Sequence, residues 1–232
     1  MVMRAGLGVA ARAGLDEMAD RSGVDFDFSP AGILHFYKTE ADFKLARMIN
    51  KFLAEGGVHR QELSAAEVGT KEPTLRGDII GGYWTESDST GDIHKFTHGL
   101  AKWMMTQGVT FRLGYPVTDL QKADDGVTVV TTDEVRFDAV VVSAGVASRK
   151  FAAMLGDRVN VYPVKGYSIT VNLDDAESQA AAPYVSLLAD KAKIVTSRLG
   201  TVPLLFARQS ECNWYNRHIR AGPFGHFTVC VE

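Results

Sequence analysis

The sequence predicts a protein of mixed α/β (α+β) class, because helical and strand patterns follow one another along the chain. Apolar residues recur at helical spacing between Asp92 and Gly108, namely Ile93, Phe96, Leu100, Trp103 and Met104. Two short β-branched runs follow at 127–131 and 135–137, separated by a polar turn. Val140–Val142 is then a continuous apolar run, which is typical of a parallel strand buried on both faces.

The stretch 91–145 therefore predicts a helix, a strand, a hairpin, a buried strand and a glycine turn. Asp92 suits the N-cap of the helix, and Gly108 suits its C-terminal end. Gly145 directly follows the buried run, and ligands of open α/β sheets gather beyond the carboxyl ends of the strands. The glycine either lets a backbone approach a cofactor closely or only turns the chain.

The chain before residue 90 predicts an alanine-rich helix, two strands joined by a turn, an amphipathic helix and a short capped helix. The first helix covers 5–21, the two strands cover 24–28 and 33–37, and the amphipathic helix covers 40–54. The short helix begins with a capping box at Ser64 and Glu67 and ends at Glu72, before Pro73.

The first of these helices contains a glycine motif that could instead indicate a dinucleotide-binding turn. Gly6-Leu7-Gly8-Val9-Ala10-Ala11 matches the G-x-G-x-x-A pattern of dinucleotide-binding turns. Such a turn has to follow a buried strand, and the residues before Gly6 are too few to form one. We therefore interpret the motif as part of a helix.

The chain after Gly145 predicts a short helix, four strands and one polar loop. The helix covers 148–155, the strands 159–162, 167–173, 184–188 and 192–197, and the loop 176–183. The last ten residues show no period and are expected to fray.

Composition excludes several classes of function. With 25 basic and 28 acidic residues the net charge is −3, which gives no electrostatic basis for binding nucleic acid. No apolar run is long enough for a transmembrane helix, and the first residues do not resemble a signal peptide. Cys212 and Cys230 alone form neither a disulfide framework nor a metal motif, so a reducing cytoplasm is the expected compartment.

Two kinds of catalytic site find no support in the sequence. His94 and His98 stand four positions apart on the predicted helix, but two ligands rarely hold a metal and the sequence places no third, so no metal site is expected. The G-x-S-x-G turn of serine hydrolases does not occur, since the segment around Ser143 lacks its first glycine.

Three blocks of the sequence carry a resemblance to a known family. They are GILHFYKTEADF at 32–43, TGDIHKFTHGLA at 90–101 and YPVKGYSITV at 162–171, and VVVSAG at 140–145 agrees with them. Together they resemble the FAD-dependent amine and amino-acid oxidoreductases of the D-amino acid oxidase superfamily, and within it the small subunits of bacterial D-amino acid dehydrogenases. The similarity covers roughly residues 5 to 200 and weakens after Gly200.

The resemblance implies a partial FAD-binding domain of the D-amino acid oxidase type and a mixed-sheet substrate domain. The implied parts are a bordering helix at 1–21, the substrate domain at 22–82 and 158–215, the FAD-binding domain at 83–157 and a tail at 216–232. The implied reaction is oxidative deamination of a D-amino acid such as D-alanine to a 2-oxo acid and ammonia, with FAD as the cofactor.

The resemblance also implies where the electrons go and where the protein resides. The implied acceptor is a membrane quinone or an electron-transfer chain rather than oxygen. The implied location is the cytoplasm, with peripheral attachment to the inner face of the plasma membrane left open.

The resemblance assigns a few residues to ligands and leaves the catalytic residues unknown. The backbone of Val117 is expected at the adenine of FAD, and the turn at Ala144 and Gly145 at the ribityl chain. Tyr167 and Arg198 are candidates for the substrate, because a hydroxyl and a guanidinium both donate hydrogen bonds to a carboxylate. For each of these residues, ordinary strand packing or a solvated charge is the alternative.

Two alternatives to this function stay open. Members of the family begin with a strand and a G-x-G-x-x-G turn and end with a second flavin-binding segment, so the chain is expected to be the middle of such an enzyme. It is then either part of a D-amino acid dehydrogenase or a non-catalytic remnant that acts as a binding or interaction domain. A relative acting on glycine, sarcosine or proline is the nearer alternative.

The first prediction concerns the cofactor. A pyrophosphate is normally held at a helix N-terminus behind a glycine turn, and no convincing turn of this kind is present. We expect the 232-residue chain, incubated with FAD and then desalted, to retain no stoichiometric flavin. The visible spectrum measures this, and a retained band of one flavin per chain would contradict the prediction.

Overall fold

A computed structural model describes residues 2–163, 166–200 and 203–209, and it describes only the backbone at Val2, at Arg4 and in 203–209. The α-helices are α1 Val2–Ser22, α2 Glu40–Glu55, α3 Ala65–Lys71, α4 Ile93–Thr106, α5 Ser148–Met154 and α6 Ala176–Ala181, and a 3₁₀ turn spans Gly145–Ala147. The strands are β1 Ile33–Tyr37, β2 Gln61–Ser64, β3 Gly81–Thr85, β4 Asp119–Ala123, β5 Gly126–Val130, β6 Glu134–Phe137, β7 Gly166–Asn172, β8 Ser186–Ala189, β9 Ile194–Arg198 and β10 Pro203–Gln209.

Seven of the described strands form one mixed sheet, called here the large sheet. Their order is β2-β3-β1-β8-β9-β10-β7, and only the β1–β8 pair in this order is parallel. The sheet thus joins strands from 33–85 with strands from 166–209, which confirms the prediction that these two parts of the chain meet. The division into domains stays a prediction, and β3, at the predicted boundary, lies inside the sheet.

The register of the large sheet defines two faces. Leu34 lies opposite Trp84 and Leu187, so these three side chains share one face, called the front face. His35 lies opposite Tyr83, and both share the back face with Tyr37. Helix α3 covers the front face through Val68, whereas α2 covers the back face through Phe43 and Ala46. Each face therefore has its own apolar core.

A smaller sheet, β4-β5-β6, forms a separate antiparallel unit. Its hairpin confirms the strands predicted at 127–131 and 135–137. Helix α5 packs against β4, where Leu120 is the buried residue. The segment between α4 and β4, which includes Val117, has no regular secondary structure.

The predicted helix ends are confirmed at two places. The Asp92 side chain accepts a hydrogen bond from Lys95 N at 3.0 Å and caps α4. Ser64 and Glu67 form the predicted capping box of α3. Residues 6–11 lie inside α1, which confirms the helical interpretation of the glycine motif.

Glu72 fastens the end of α3 to the start of β8. Its carboxylate is fully buried and accepts hydrogen bonds from the backbone N–H and hydroxyl of Thr74. It also accepts hydrogen bonds from the backbone N–H groups of Tyr184 and Val185, at 2.7 and 3.1 Å. Four donors satisfy the buried carboxylate, so its burial leaves no acceptor unpaired. The carboxylate thus links the end of α3 to the residues before β8.

Three predicted elements are wrong. Residues 24–28 form no strand, because Phe26 turns onto Phe96 of α4 and Asp27 takes the left-handed conformation at φ 55°. Residues 159–162 form no strand either. The polar loop predicted at 176–183 contains α6, whose first turn is held by a capping box between Asp175 and Ser178.

The buried strand predicted at Val140–Val142 is also wrong. These residues are extended but belong to no strand, and Val141 is 88% exposed. A strand exists only when its backbone groups pair with a neighbour. None of the hydrogen bonds found in the described part of the chain joins residues 139–143 to a sheet, so the apolar run has no partner.

If Val141 were buried as predicted, Val141→Asp would prevent soluble folding, and the observed exposure reverses this expectation. In the 232-residue chain we expect the substitution to change the free energy of unfolding by less than about 0.5 kcal/mol, because the new carboxylate stays in water. Leu34→Asp is the matched comparison, since Leu34 is fully buried, and it should prevent folding. Urea unfolding of both variants measures the effect, and a severe loss of stability for Val141→Asp would contradict the exposed position.

Candidate functional site

A cavity of about 520 Å³ opens on the front face at the carboxyl end of β1. We call it the front cavity. Its walls are mostly apolar and include Phe36, Leu75, Pro183, Leu187, Ile194 and Thr196. Charged side chains also line it, namely Lys38, Asp42, Arg76, Asp190 and Lys191. An apolar body with a few polar groups is the usual composition of a small-molecule site.

One wall of the front cavity is the turn between β8 and β9, which carries Asp190. Asp190 Oδ2 accepts a hydrogen bond from the Tyr37 hydroxyl at 2.6 Å. His35 Nδ1 lies 3.1 Å from the same oxygen, and because the carboxylate has no proton to give, Nδ1 is the donor. Two side chains of β1 thus fix the turn that follows β8.

The two hydrogen bonds change the acidity of both partners. Burial by itself would raise the pKa of Asp190, but hydrogen bonds from His35 and Tyr37 outweigh it and lower the pKa to about 2. Burial, and then the hydrogen bond to Asp190, raise the pKa of the Tyr37 phenol well above its usual value. Asp190 is therefore a fixed negative charge, and Tyr37 a fixed donor, across the physiological pH range.

Arg198 lies at the end of β9, beside a smaller cleft of about 200 Å³ lined also by Thr90 and Ser186. Its guanidinium donates hydrogen bonds to the carbonyl oxygens of Gln179 and Ala182, at 2.8 and 2.9 Å. In this arrangement Arg198 holds the end of α6 against the large sheet.

Tyr167 and Arg198, the two predicted substrate residues, are not brought together. Tyr167 lies on the edge strand β7 opposite Arg208, whereas Arg198 lies opposite Leu204 on the same strand β10. Four residues along a strand correspond to about 13 Å. Neither residue lines the front cavity, and Lys165, which precedes Tyr167, lies outside the described residues.

The three predicted cofactor residues lie around the small sheet. Val117 is half-buried just before β4, and the next residue, Thr118, bonds through its N–H to Val130 O. Ala144 and Gly145 are exposed, and Gly145 takes φ 53°, a conformation that favours glycine. No atom lies within 4 Å of where a side chain at Gly145 would begin. The open turn thus fits the close approach of a flexible ligand chain.

The pyrophosphate of FAD finds no comparable fit at the glycine motif of α1. Gly6 and Gly8 lie inside this helix, where backbone N–H groups are used by helical hydrogen bonds. Among the described residues considered for the cofactor, the Gly145 turn offers an open backbone that a ligand could approach, and the contact of Val117 with adenine stays a prediction.

His94 and His98 stack on α4 with their ring centroids 4.3 Å apart. Within the described residues, no three histidine, cysteine, aspartate or glutamate side chains are grouped so that they could hold a metal ion. The same residues include no helix that is both long and apolar enough to cross a membrane.

Sequence reasoning missed the residues of the front cavity. Tyr37 and Asp190 line it and lie 153 positions apart in the sequence, and no local motif connects Asp190 with Tyr37 or with the nearby His35. The alternation in Ile33–Tyr37 indicated a strand, which is confirmed, but both faces of this strand are covered rather than one. It did not indicate that a carboxylate from a distant turn would meet that strand.

The mixed sheet and its helices define a mixed α/β fold that resembles part of the glycine oxidase structures. The structure of glycine oxidase from Bacillus cereus matches with a TM-score of 0.73 at 19% identity, covering 89% of this chain and 58% of that one. Glycine oxidase from Geobacillus kaustophilus matches with a TM-score of 0.73 at 20% identity, covering 94% of this chain and 57% of that one. At these identities the likeness concerns the fold.

Residues 3–223 match the model of the FAD dependent oxidoreductase family, and the chain belongs to this family. It is 47% identical to D-amino acid dehydrogenase 3 of Mesorhizobium japonicum, covering 92% of this chain and 53% of that protein. It is 37% identical to D-amino acid dehydrogenase of Paramagnetospirillum magneticum, covering 89% of this chain and 49% of that protein. The chain thus spans about half the length of these relatives. The resemblance seen in the sequence is confirmed.

The hydrogen bonds of Asp190 with His35 and Tyr37, called here the Asp190 network, predict that the stability of the fold is sensitive to acid. In the unfolded chain Asp190 takes up a proton near its usual pKa of 3.8, whereas in the folded chain it stays ionised down to about 2. Its contribution to stability is complete above the unfolded pKa and is lost as the pH falls through this interval. We expect Asp190→Asn to reduce the difference in unfolding free energy between about pH 5 and about pH 2.5.

Urea unfolding at the two pH values measures this difference. Asp16→Asn removes an exposed carboxylate of α1 and serves as the control. A pH dependence that is as steep in Asp190→Asn as in the parent chain would contradict the network.

Proposed function

We propose that the protein containing this chain is an FAD-dependent amino acid dehydrogenase that oxidatively deaminates D-amino acids to 2-oxo acids and ammonia. Support comes from membership of the FAD dependent oxidoreductase family and from relatives named D-amino acid dehydrogenase. The observation that carries the proposal is the front cavity, which combines apolar walls with cationic side chains such as Arg76.

The substrate would lie along the front face of the large sheet. Its side chain would pack on Leu187, Ile194 and Phe36, which supply apolar surface. Its carboxylate would bind Arg76, whose guanidinium uses one described hydrogen bond, to Pro73 O at 2.6 Å. A guanidinium has five N–H donors in a fixed fork, so enough remain for a bidentate contact with a carboxylate.

The flavin, when bound, accepts a hydride from the substrate α-carbon. The chain itself supplies orientation and shielding from water. Ala144 and Gly145 would hold the ribityl chain through their open backbone, and Val117 would contact the adenine, as the sequence predicted. These contacts remain proposals, as do direct contacts of Tyr167 and Arg198 with substrate.

Arg198 could also affect substrate binding indirectly, by positioning residues that line the front cavity. Its hydrogen bonds to Gln179 O and Ala182 O hold the end of α6, and Ala181 and Pro183 from that end line the front cavity. We propose that Arg198 positions this wall.

Membrane quinone or an electron-transfer chain is the proposed electron acceptor, with the protein in the cytoplasm or peripheral to the inner face of the plasma membrane. Support for this part comes from the resemblance of the sequence alone. Oxidation of glycine, sarcosine or proline is the second candidate activity. It is favoured by the shared fold with the glycine oxidases and with the L-proline dehydrogenase structure, which has a TM-score of 0.69.

The test uses the full-length protein that contains this chain, loaded with FAD, with a dye as electron acceptor. We expect oxidation of D-alanine, and for Arg76→Gln a KM roughly tenfold higher or more, since a hydrogen-bonded charge pair contributes about 1.5–3 kcal/mol. The dye assay is run with D-alanine, glycine, sarcosine and L-proline for the parent and each variant.

Lys51→Gln is the matched control, because Lys51 is an exposed cation on α2 outside the front cavity, and its KM should not change. Preference for glycine, sarcosine or proline would replace the D-amino acid assignment. Absence of turnover with all four substrates in the flavin-loaded protein would favour the non-catalytic binding domain.

A further inference from the structure

A second cavity, of about 450 Å³, lies on the back face of the large sheet, between α2 and the β8–β9 turn. We call it the back cavity. The side chains of Tyr37, Asp42, Asp190 and Lys191 line both cavities. Asp190 and Tyr37 thus lie between the two cavities and line both of them.

Helix α2 gives the back cavity an apolar floor. Leu45, Ala46, Ile49 and Leu53 line it, and their spacing places them on one side of the helix. Leu45 and Ile49 remain 55% and 38% exposed, so the described residues leave this apolar surface uncovered. A ligand with an apolar group would bury this surface.

Arg60 and Lys193 line the back cavity and form no ion pair within 4 Å with the described residues, although Lys193 interacts electrostatically with Asp190. Arg60 makes no hydrogen bond or ion pair to any described residue, and its Nε is buried without a partner. Lys193 also lines the cavity and has a left-handed backbone at φ 51°, which is uncommon for lysine. Lys191, in contrast, is paired with Asp42 at 3.3 Å. The unpaired cations make this wall suited to a carboxylate.

An anionic acceptor stands in the same cavity. Asp190 Oδ2 takes the hydrogen bonds from both His35 and Tyr37. Asp190 Oδ1 accepts none from the described residues, and 38% of the side chain is exposed. The Oδ1 atom of Asn50, another lining residue, is buried without a donor. The back cavity therefore offers acceptors for an ammonium group as well as cations for a carboxylate.

We propose that the back cavity is a binding site for a small zwitterion with an apolar side chain, such as an aliphatic α-amino acid. Its carboxylate would bind Arg60 and Lys193, its ammonium group would bind Asp190 Oδ1, and its side chain would pack on Leu45, Ile49 and Leu53. The site lies on the opposite face from the proposed substrate site, so one chain would bind two molecules. A molecule in the back cavity would contact Asp190, which also lines the front cavity. Its binding would therefore affect a residue that the two cavities share.

Calorimetric titration of the 232-residue chain without FAD tests the proposal independently of any turnover. The ligands are D-leucine and L-leucine, 4-methylpentanoate, which keeps only the carboxylate, and isoamylamine, which keeps only the ammonium group. We expect at least one leucine enantiomer to bind, with an affinity at least roughly tenfold higher than that of either single-charge analogue.

Two substitutions locate the binding site. Arg60→Gln should weaken one component of leucine binding roughly tenfold or more. Arg76→Gln, the matched change in the front cavity, should leave that component in place, because Arg76 belongs to the proposed substrate site. Lys193→Gly removes the second cation and suits the left-handed backbone, so it should weaken binding while keeping the fold. Thermal melting of each variant separates lost binding from lost folding.

The possible results are distinguishable. No binding of either enantiomer, or equal binding of 4-methylpentanoate, would overturn the proposal. Sensitivity to Arg76→Gln instead of Arg60→Gln would assign the binding to the front cavity, which would leave the proposed enzymatic function intact and overturn the second site.

Discussion

The parallel pairing of β1 with β8 is the constraint on which the rest of the structure depends. It joins two parts of the chain that lie far apart, and its register sets Leu34 beside Leu187. Because β8 then ends in a turn at the carboxyl end of β1, Asp190 meets His35, 155 positions earlier in the sequence. The buried Glu72 carboxylate fixes the residues just before β8. A shift of one residue would exchange the two faces of the strand and separate these partners.

Both cavities follow from this pairing. The β8–β9 turn projects beyond the large sheet, and the hydrogen bonds to Asp190 hold it between the front and the back face. The front cavity is lined by apolar strand residues such as Leu187 and Ile194 and is the site proposed for the substrate. The back cavity is bounded instead by α2, whose uncovered leucine and isoleucine side chains face two unpaired cations. One fixed carboxylate thus bounds two sites of different composition.

The outcome at Val140–Val142 shows a limit of sequence patterns. An apolar run indicates that a segment is suited to a buried strand. The segment becomes one only when a neighbouring strand pairs with it. In the described structure no strand pairs with the run, and Val141 faces solvent. Residues 24–28 failed for a related reason, because Phe26 found an aromatic partner on α4 instead of a strand partner. Helix α6 was missed since its cap, Asp175 with Ser178, was overlooked.

The sequence by itself determined the local elements and the family of this protein. Caps such as Asp92 and Ser64 and the periodicity of α2 and α4 act between residues a few positions apart, so they can be read without a structure. Only the tertiary structure decided which side chains share a cavity. Asp190, Tyr37 and Arg60 come from three separate elements, and sheet pairing, a long-range interaction with no local signature, brings them together. The same long-range pairing leaves Tyr167 and Arg198 apart, although both lie on strands of one sheet.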